Sequence, residues 1–580
     1  MRPLGAAVEG AATRFRAFVT TSPTCSVCLY DGANETLKLV AEHAMVAEGN
    51  GHFEVVLQGM GHGTLYRFRV GDREVPDPYA RYLPHGVHGP AMVVESRYAW
   101  RHGEGVARPL AEQVIYELHV GTFTAEGTYE AARERLRDLV DLGVTTVELM
   151  PLAAFPGQRG WGYDGVALYA PFAPYGTPDE LRRFIDDAHG LGLGVLLDAV
   201  YNHFGPSGNY LAAYSEQYFD ANIRTAWGDA PDFSHAAMRR YVLDNACYWL
   251  TEFRFDGLRL DAVHAIVDDG PYAVLRELAD RVATLAPRKV LIAEDERNDP
   301  GLVTTLGMDA VWADDFHHQV RVTLTGERDG YYRAYAPGVA GTAETITHGW
   351  LYEGQVYAPT GKPRGKSARA LPARALVYCI QNHDQIGNRA LGDRLTASIS
   401  LDAYCAASTL LLLLPMTPLL FMGQEWAAST PFQYFTDHEE PLGRAVSVGR
   451  REEFKSFSSF VNFPDPQDRA TFEGSRLRWD ERRTPPHDRV LSLYRELLQL
   501  RQRDPVFRQG SRERLRATLE GGLLVVHQWH ETERRDLVVN FDTVEQPLPD
   551  ALRGHTAMFS SGAPLARNRI PASTAVVLTR

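Results

Sequence analysis

A chain of 580 residues is too long for one hydrophobic core, which stops growing at roughly 250 to 300 residues, so two to four domains are expected. Its 44% hydrophobic and 23% charged residues are those of a folded globular protein and exclude extended disorder. A formal net charge of -13 repels phosphates, which excludes nucleic acid and anionic membrane surfaces as partners and leaves a neutral ligand unopposed.

Met1 to Phe15 contains no apolar stretch of the kind a secretory signal needs, and the most apolar run, Leu410 to Leu414, stops at Pro415. Neither a signal peptide nor a membrane span is expected. Five cysteines, few and odd in number, fit a reducing compartment, so the expected location is cytoplasmic.

In the first hundred residues FRAFV, FEVVL and TLYRFRV alternate apolar and polar positions between turn signals, which predicts an N-terminal β-sandwich over 1–100. Cys25 and Cys28 form a C-x-x-C within it; with no second pair and no nearby histidine they read as strand residues rather than a zinc or redox site. From Val114 the pattern changes to short apolar runs separated by amphipathic helices. Candidate strands lie at 114–120, 145–150, 194–200, 255–263, 289–295, 308–315, 375–381 and 417–423. Eight strands with helices between them predict an α/β fold of the (β/α)8 TIM-barrel type over 101–504. Thr177-Pro178-Asp179-Glu180 supplies an N-cap, a proline at the first helical position and a glutamate at the third, and Ser234 is expected to cap a second helix. After a last helix ending near Arg501, LLVVHQWH, RRDLVVNF and TAVVLT predict a C-terminal β-sandwich over 505–580. No internal repeat interrupts this order.

In such a barrel, reactive side chains stand at the C-terminal ends of strands. The third strand ends in Asp198, Asn202 and His203, the fourth in Arg259, Asp261 and His264, the fifth in Glu294, Asp295 and Glu296, and the seventh in Asn382, His383 and Asp384. A single aspartate in that position is more often a cap or an ion-pair partner. Four such ends, each with a carboxylate and three with a histidine, instead suit cleavage of a glycoside, which needs one ionised carboxylate, one protonated one and a helper. Glu294 and Glu296 compete for the acid's place; Asp198 reads as a brace for Arg259 or for the barrel mouth.

The blocks DAVYNH, GLRLDAVH, the AE of the fifth strand and NHD resemble, in that order, the four motif regions of the α-amylase family. The resemblance implies a retaining glycoside hydrolase with Asp261 as nucleophile, Glu294, which directly follows VLIA, as general acid/base, and Asp384 as the carboxylate that steadies the transition state. It implies that Arg259 keeps Asp261 ionised, that His203, His264 and His383 donate to sugar hydroxyls, and that Tyr163 in WGYDG faces the sugar ring. The N-terminal sandwich becomes an immunoglobulin-like unit of the carbohydrate-binding-module type.

Within that family DDFHHQVRVTLTGE, QNHDQIGNRALGDRL and FMGQEWAASTPFQYFTDH resemble the malto-oligosyltrehalose trehalohydrolase group, over about residues 65 to 460. This implies cleavage of the α-1,4 bond beside the terminal trehalose of malto-oligosyltrehalose, related α-glucans as further ligands, and a malto-oligosyltrehalose synthase as pathway partner. Asp314, Asp315, Phe316, His317 and His318, with Gln385 and Asn388, are then expected to contact substrate. A glycogen branching enzyme shares the motifs but departs at NHDQIGNR, and a non-catalytic carbohydrate-binding protein should lack Asp261 or Glu294. No cofactor is expected, and no metal: only about thirty residues, 204–232, follow the third strand, too few for a calcium-holding insertion.

Overall fold

Eight apolar runs close on themselves as a parallel barrel in the computed structural model, which describes residues 2–32, 36–105, 108–225, 228–268, 273–454 and 464–580. The strands are β1 (Ile115–Leu118), β2 (Thr146–Leu149), β3 (Gly194–Ala199), β4 (Gly257–Leu260), β5 (Val290–Ala293), β6 (Ala310–Trp312), β7 (Leu376–Tyr378) and β8 (Thr417–Phe421), with β8 pairing back onto β1. Every predicted run contains one of them, each shorter than its apolar stretch because the terminal residues turn into loops. The strands are buried almost throughout, as expected when side chains fill the barrel on one face and helices cover the other.

Register sets what emerges at the mouth. Asp198 of β3 pairs with Arg259 of β4, and Leu260 of β4 pairs with Ala293 of β5. The next residues in each chain, Asp261 and Glu294, therefore leave the barrel side by side.

The helix α1 (Pro178–Gly190) has the expected start: Thr177 accepts from the Glu180 backbone while the Glu180 carboxylate accepts from the Thr177 backbone. The other expected cap fails. Helix α2 (Ala236–Glu252) begins after His235 without a side-chain cap, because the Ser234 hydroxyl instead donates to Asp232 at 2.6 Å.

Two antiparallel sheets precede the barrel, one built around Ala12–Phe18 and His52–Gln58, the other around Cys25–Asp31 and Leu65–Val70. Phe15, Val27 and Phe68 fill the space between them. Cys25 and Cys28 are buried free thiols on one of these strands, the Cys25 thiol facing the Met45 sulfur. The sheets dock on the barrel through Tyr214 and Tyr241, whose hydroxyls donate to the carbonyls of Pro76 and Pro78 at 2.9 and 3.0 Å. At the other end a five-stranded antiparallel sheet containing Leu523–His530, Glu533–Asn540 and Thr574–Thr579 is accompanied by a two-stranded ladder. Among the described residues no helix is long and apolar enough to cross a membrane.

Candidate active site

One guanidinium organises the barrel mouth. Nη1 of Arg259 lies 2.8 and 2.9 Å from the two oxygens of Asp198 and 2.8 Å from Oδ1 of Asp261, while Nη2 lies 2.9 Å from Oε2 of Glu294. The Trp312 ring floors this cation, 4.2 Å from its centre. Arg259 is fully buried, but the side chains of Asp261 and Glu294 keep 12% and 15% exposure, so a ligand reaches the acids and not the base that holds them. Asp198 takes the bracing place expected of it.

The backbone adds a second link. Ala262 adopts a left-handed conformation (φ 39°), which few residues other than glycine take without strain, and from there its N–H donates to Oε2 of Glu294 at 2.7 Å. Asn202 donates its amide to both the carbonyl and Oδ2 of Asp261, at 2.9 and 2.7 Å.

These contacts drive the two acids apart electrostatically. Burial alone pushes the Asp261 carboxyl up, but Arg259, His203 and the Asn202 amide outweigh it and hold it below the usual carboxylate range. Burial raises Glu294 well above that range; Arg259 opposes the rise, but repulsion from Asp261, Asp384 and Asp314 adds to it. Asp261 is thus ionised and Glu294 protonated over a common pH window. Paired carboxyls whose environments separate them in this way can act as nucleophile and acid.

Two cavities meet at Glu294. The smaller, about 440 Å³, is lined by Asp261, Tyr163, His203, His383 and Asp384; the larger, about 700 Å³, by His264, Asp314, His318, Gln385, Tyr331 and Arg364. Glu294, Asp384 and Asn388 border both, and Asn388 donates to Asp384 at 3.1 Å. The Tyr163 ring stacks on His383 at 5.0 Å, and its hydroxyl lies 2.5 Å from Asp198 and 2.7 Å from Nε2 of His383. Among the described residues no group of three or more His, Cys, Asp or Glu is placed to hold a metal ion.

Not every expected contact reaches these cavities. Helix α3 (Asp314–Thr325) starts at the mouth and turns Asp314 and His318 toward the larger cavity, while its period sends the three residues between them inward. Asp315 is fully buried, accepting from Tyr335 at 2.6 Å, from Asn298 at 2.7 Å and from the Leu351 and Tyr352 backbones, and pairing with Arg364 at 3.2 Å. Phe316 stacks on Tyr378 at 4.2 Å in the core, and His317 is buried against Tyr332. These three have places in the interior, not on a ligand. Arg259, expected to keep Asp261 ionised, is buried beneath the acids and meets a ligand only through them. His264 and Glu296 line the larger cavity rather than the smaller one, and Glu296 is exposed.

Other lining residues escaped the sequence reading, among them Trp161, Tyr434, Arg450, Tyr331 and Arg364. Trp161, Tyr434 and Arg364 sit in loops, Tyr331 in a short 3-10 turn and Arg450 on the helix Leu442–Phe454, with no strand end to flag any of them. Glu117 carried a signal: it is a charge in the middle of the apolar run VIYELHV, and it accepts from both the ring and the backbone of His383.

The profile of the alpha amylase catalytic domain matches residues 102–227, and that of carbohydrate-binding module 48, the isoamylase N-terminal domain, matches residues 3–80. The chain is 52% identical over 524 residues to the malto-oligosyltrehalose trehalohydrolase of Deinococcus radiodurans, spanning 89% of this chain and 85% of that one. Its fold superposes on a Salmonella typhimurium crystal structure described as an alpha amylase with a TM-score of 0.92, at 36% identity over the full length of both. The 1,4-alpha-glucan branching enzyme of Kitasatospora aureofaciens is 30% identical over 65% of this chain and 52% of its own length.

Proposed function

Because the chain belongs to the malto-oligosyltrehalose trehalohydrolase family within the α-amylase group, we propose that it hydrolyses the α-1,4 bond next to the terminal trehalose of malto-oligosyltrehalose and releases trehalose. The observation that carries the reaction is the pair Asp261 and Glu294, held by one guanidinium with opposite protonation.

Asp261, ionised, attacks the anomeric carbon of the glucose in the smaller cavity. Glu294, protonated, gives its proton to the departing glycosidic oxygen, so that bond breaks as the aspartyl ester forms. Glu294, now a carboxylate, takes a proton from water, and the hydroxide formed displaces Asp261 with the configuration restored. Sharing Arg259 keeps the two acids within the span of one sugar ring, as retention requires. Asp384 and the histidines at positions 203 and 383 wall the cavity around the ring under attack, with the Asp384 carboxylate free to accept from its hydroxyls.

The leaving group lies on the far side of the acid, which is the larger cavity; its roughly 700 Å³ accommodates a disaccharide. His264, Asp314, His318 and Gln385 would then meet trehalose, while the glucan arm extends past Trp161 and Tyr434. A malto-oligosyltrehalose synthase would supply the substrate, in the cytoplasm.

Incubation with malto-oligosyltrehalose tests the assignment. Free trehalose with a shortened maltooligosaccharide is the expected product, first released as the α-anomer by NMR. A branched product would instead mean that a sugar hydroxyl, not water, intercepts the ester, and unchanged sugar would mean a binding protein without turnover.

A further inference from the structure

Glu117 takes no part in the scheme above, yet it is a fully buried carboxylate on β1, whose register neighbour on β2 is the equally buried Glu148. One of its oxygens receives Nδ1 of His383 in a very short hydrogen bond, and the other accepts the His383 backbone N–H at 3.1 Å. Ring and main chain of one residue are thus tied to a single carboxylate.

The hydrogens can be counted outward from there. Tyr163 has one proton and two polar neighbours, Asp198 at 2.5 Å and Nε2 of His383 at 2.7 Å. Burial pushes the Asp198 carboxyl up to about 6 against the pull of Arg259, whose Nη1 both its oxygens face, so at neutral pH and above it is a carboxylate and takes the Tyr163 proton. Nε2 then faces a bare hydroxyl oxygen and must bring its own hydrogen, while Nδ1, facing Glu117, carries the other. An imidazole with both nitrogens protonated is a cation.

We propose that Glu117 is a positioning residue that holds His383 as a fixed imidazolium through the neutral range, its charge aimed across 3.5 Å at Asp384 on the wall of the cleft. Only the consequence for turnover rests on the glycosidase reading; the protonation state does not. The charged and titratable groups around the ring agree. Arg259 from β4 opposes the charge, but Asp384 beside it and Glu117 from β1 outweigh both that and burial, and the imidazole is held up at about 10. Glu148 from β2 is kept protonated by burial and by repulsion from Glu117 and Asp198, so it does not compete for the cation. His119, at the end of β1, is pushed by burial down to about 4 and adds no charge of its own at neutral pH. Trp161 and Trp312 complete the walls.

Long-range ¹H–¹⁵N NMR of histidine-labelled full-length protein, with His383 assigned by its loss in His383→Gln, reads this directly. The wild type should show both His383 nitrogens protonated through neutral pH. In Glu117→Gln the ring keeps an acceptor but loses the charge, and its proton affinity should fall roughly a thousandfold, into or below the ordinary histidine range. The alkaline side of the kcat profile should retreat with it, and Glu117→Asp should restore both. Tyr163→Phe, which leaves Glu117 in place and removes only the acceptor on Nε2, should lower that affinity by less than Glu117→Gln does, and the wild-type spectrum decides even if Glu117→Gln does not fold. A neutral His383 in the wild type, an unchanged His383 in Glu117→Gln, or a larger fall in Tyr163→Phe than in Glu117→Gln would each overturn the proposal. Failure to release trehalose with His383 still cationic would count against the proposed reaction and leave this inference standing.

Discussion

The two cavities that meet at Glu294 are built by different means. The smaller takes its reactive groups from residues one to four places beyond barrel strands: Asp261 directly after β4, Glu294 directly after β5, His203 four places after β3. The larger takes much of its wall from the segment 357–366, added in the long connection between β6 and β7, and from the start of α3, the helix that follows β6. Chemistry is thus fixed by strand register, which is rigid, and the side that would receive the leaving group is shaped by added segments, which can change without disturbing the acids.

The largest expected effect tests the register-built half. Asp261→Asn and Glu294→Gln keep shape and remove the ionisable group, so each should lower trehalose release by at least about 10² to 10⁴-fold while circular dichroism stays native. Near-normal turnover in either variant would break the comparison at its root. The wild-type pH profile sharpens it. Activity needs Asp261 ionised and Glu294 protonated, so the acidic limb should lie below the usual carboxylate range and the alkaline limb well above it. Limbs that coincide near ordinary carboxylate values would mean that burial and the neighbouring charges do not separate the acids.

Asp315→Asn tests the other half. An amide nitrogen cannot accept the hydrogen bonds that converge on this carboxylate, and Arg364 loses its buried partner, so urea denaturation should show a loss of about 3 to 5 kcal/mol. The Asp315 carboxyl is held below its ordinary value: burial opposes this, but Arg364 and the converging donors prevail. Its stabilising contribution is therefore present above the unfolded-state value and fades as pH falls through the folded one, and the gap between variant and wild type should narrow in acid. Activity of the folded variant should change less than about tenfold; a complete loss with stability intact would make Asp315 a ligand contact after all. The smallest effect is expected for Glu296→Gln, within about twofold in kcat, because this exposed carboxylate lies away from Asp261 and has no part in proton transfer.

The barrel was legible because each of its strands is an apolar run bounded by turn residues, and the acids were legible because polar residues followed those runs directly. DDFHH was not. Its composition promises ligand contacts, but a helical period of 3.6 turns Asp315 and Phe316 away from the side that holds Asp314 and His318. Ser234 failed as a cap because a nearby carboxylate, Asp232, captured its hydroxyl. Glu117 and Glu148 stood in plain view as charges inside the runs VIYELHV and TTVELM, and only the register between β1 and β2 shows that they share the barrel interior.

The left-handed turn at Ala262 has a mechanical consequence. A single peptide unit joins the residue that would attack the sugar to the N–H that grips the residue that would protonate it. Any movement of the tip of β4 is therefore transmitted to both acids together, and the gap between them is gauged by covalent geometry rather than by two independently wandering side chains. A glycine there would relax the turn and loosen the gauge.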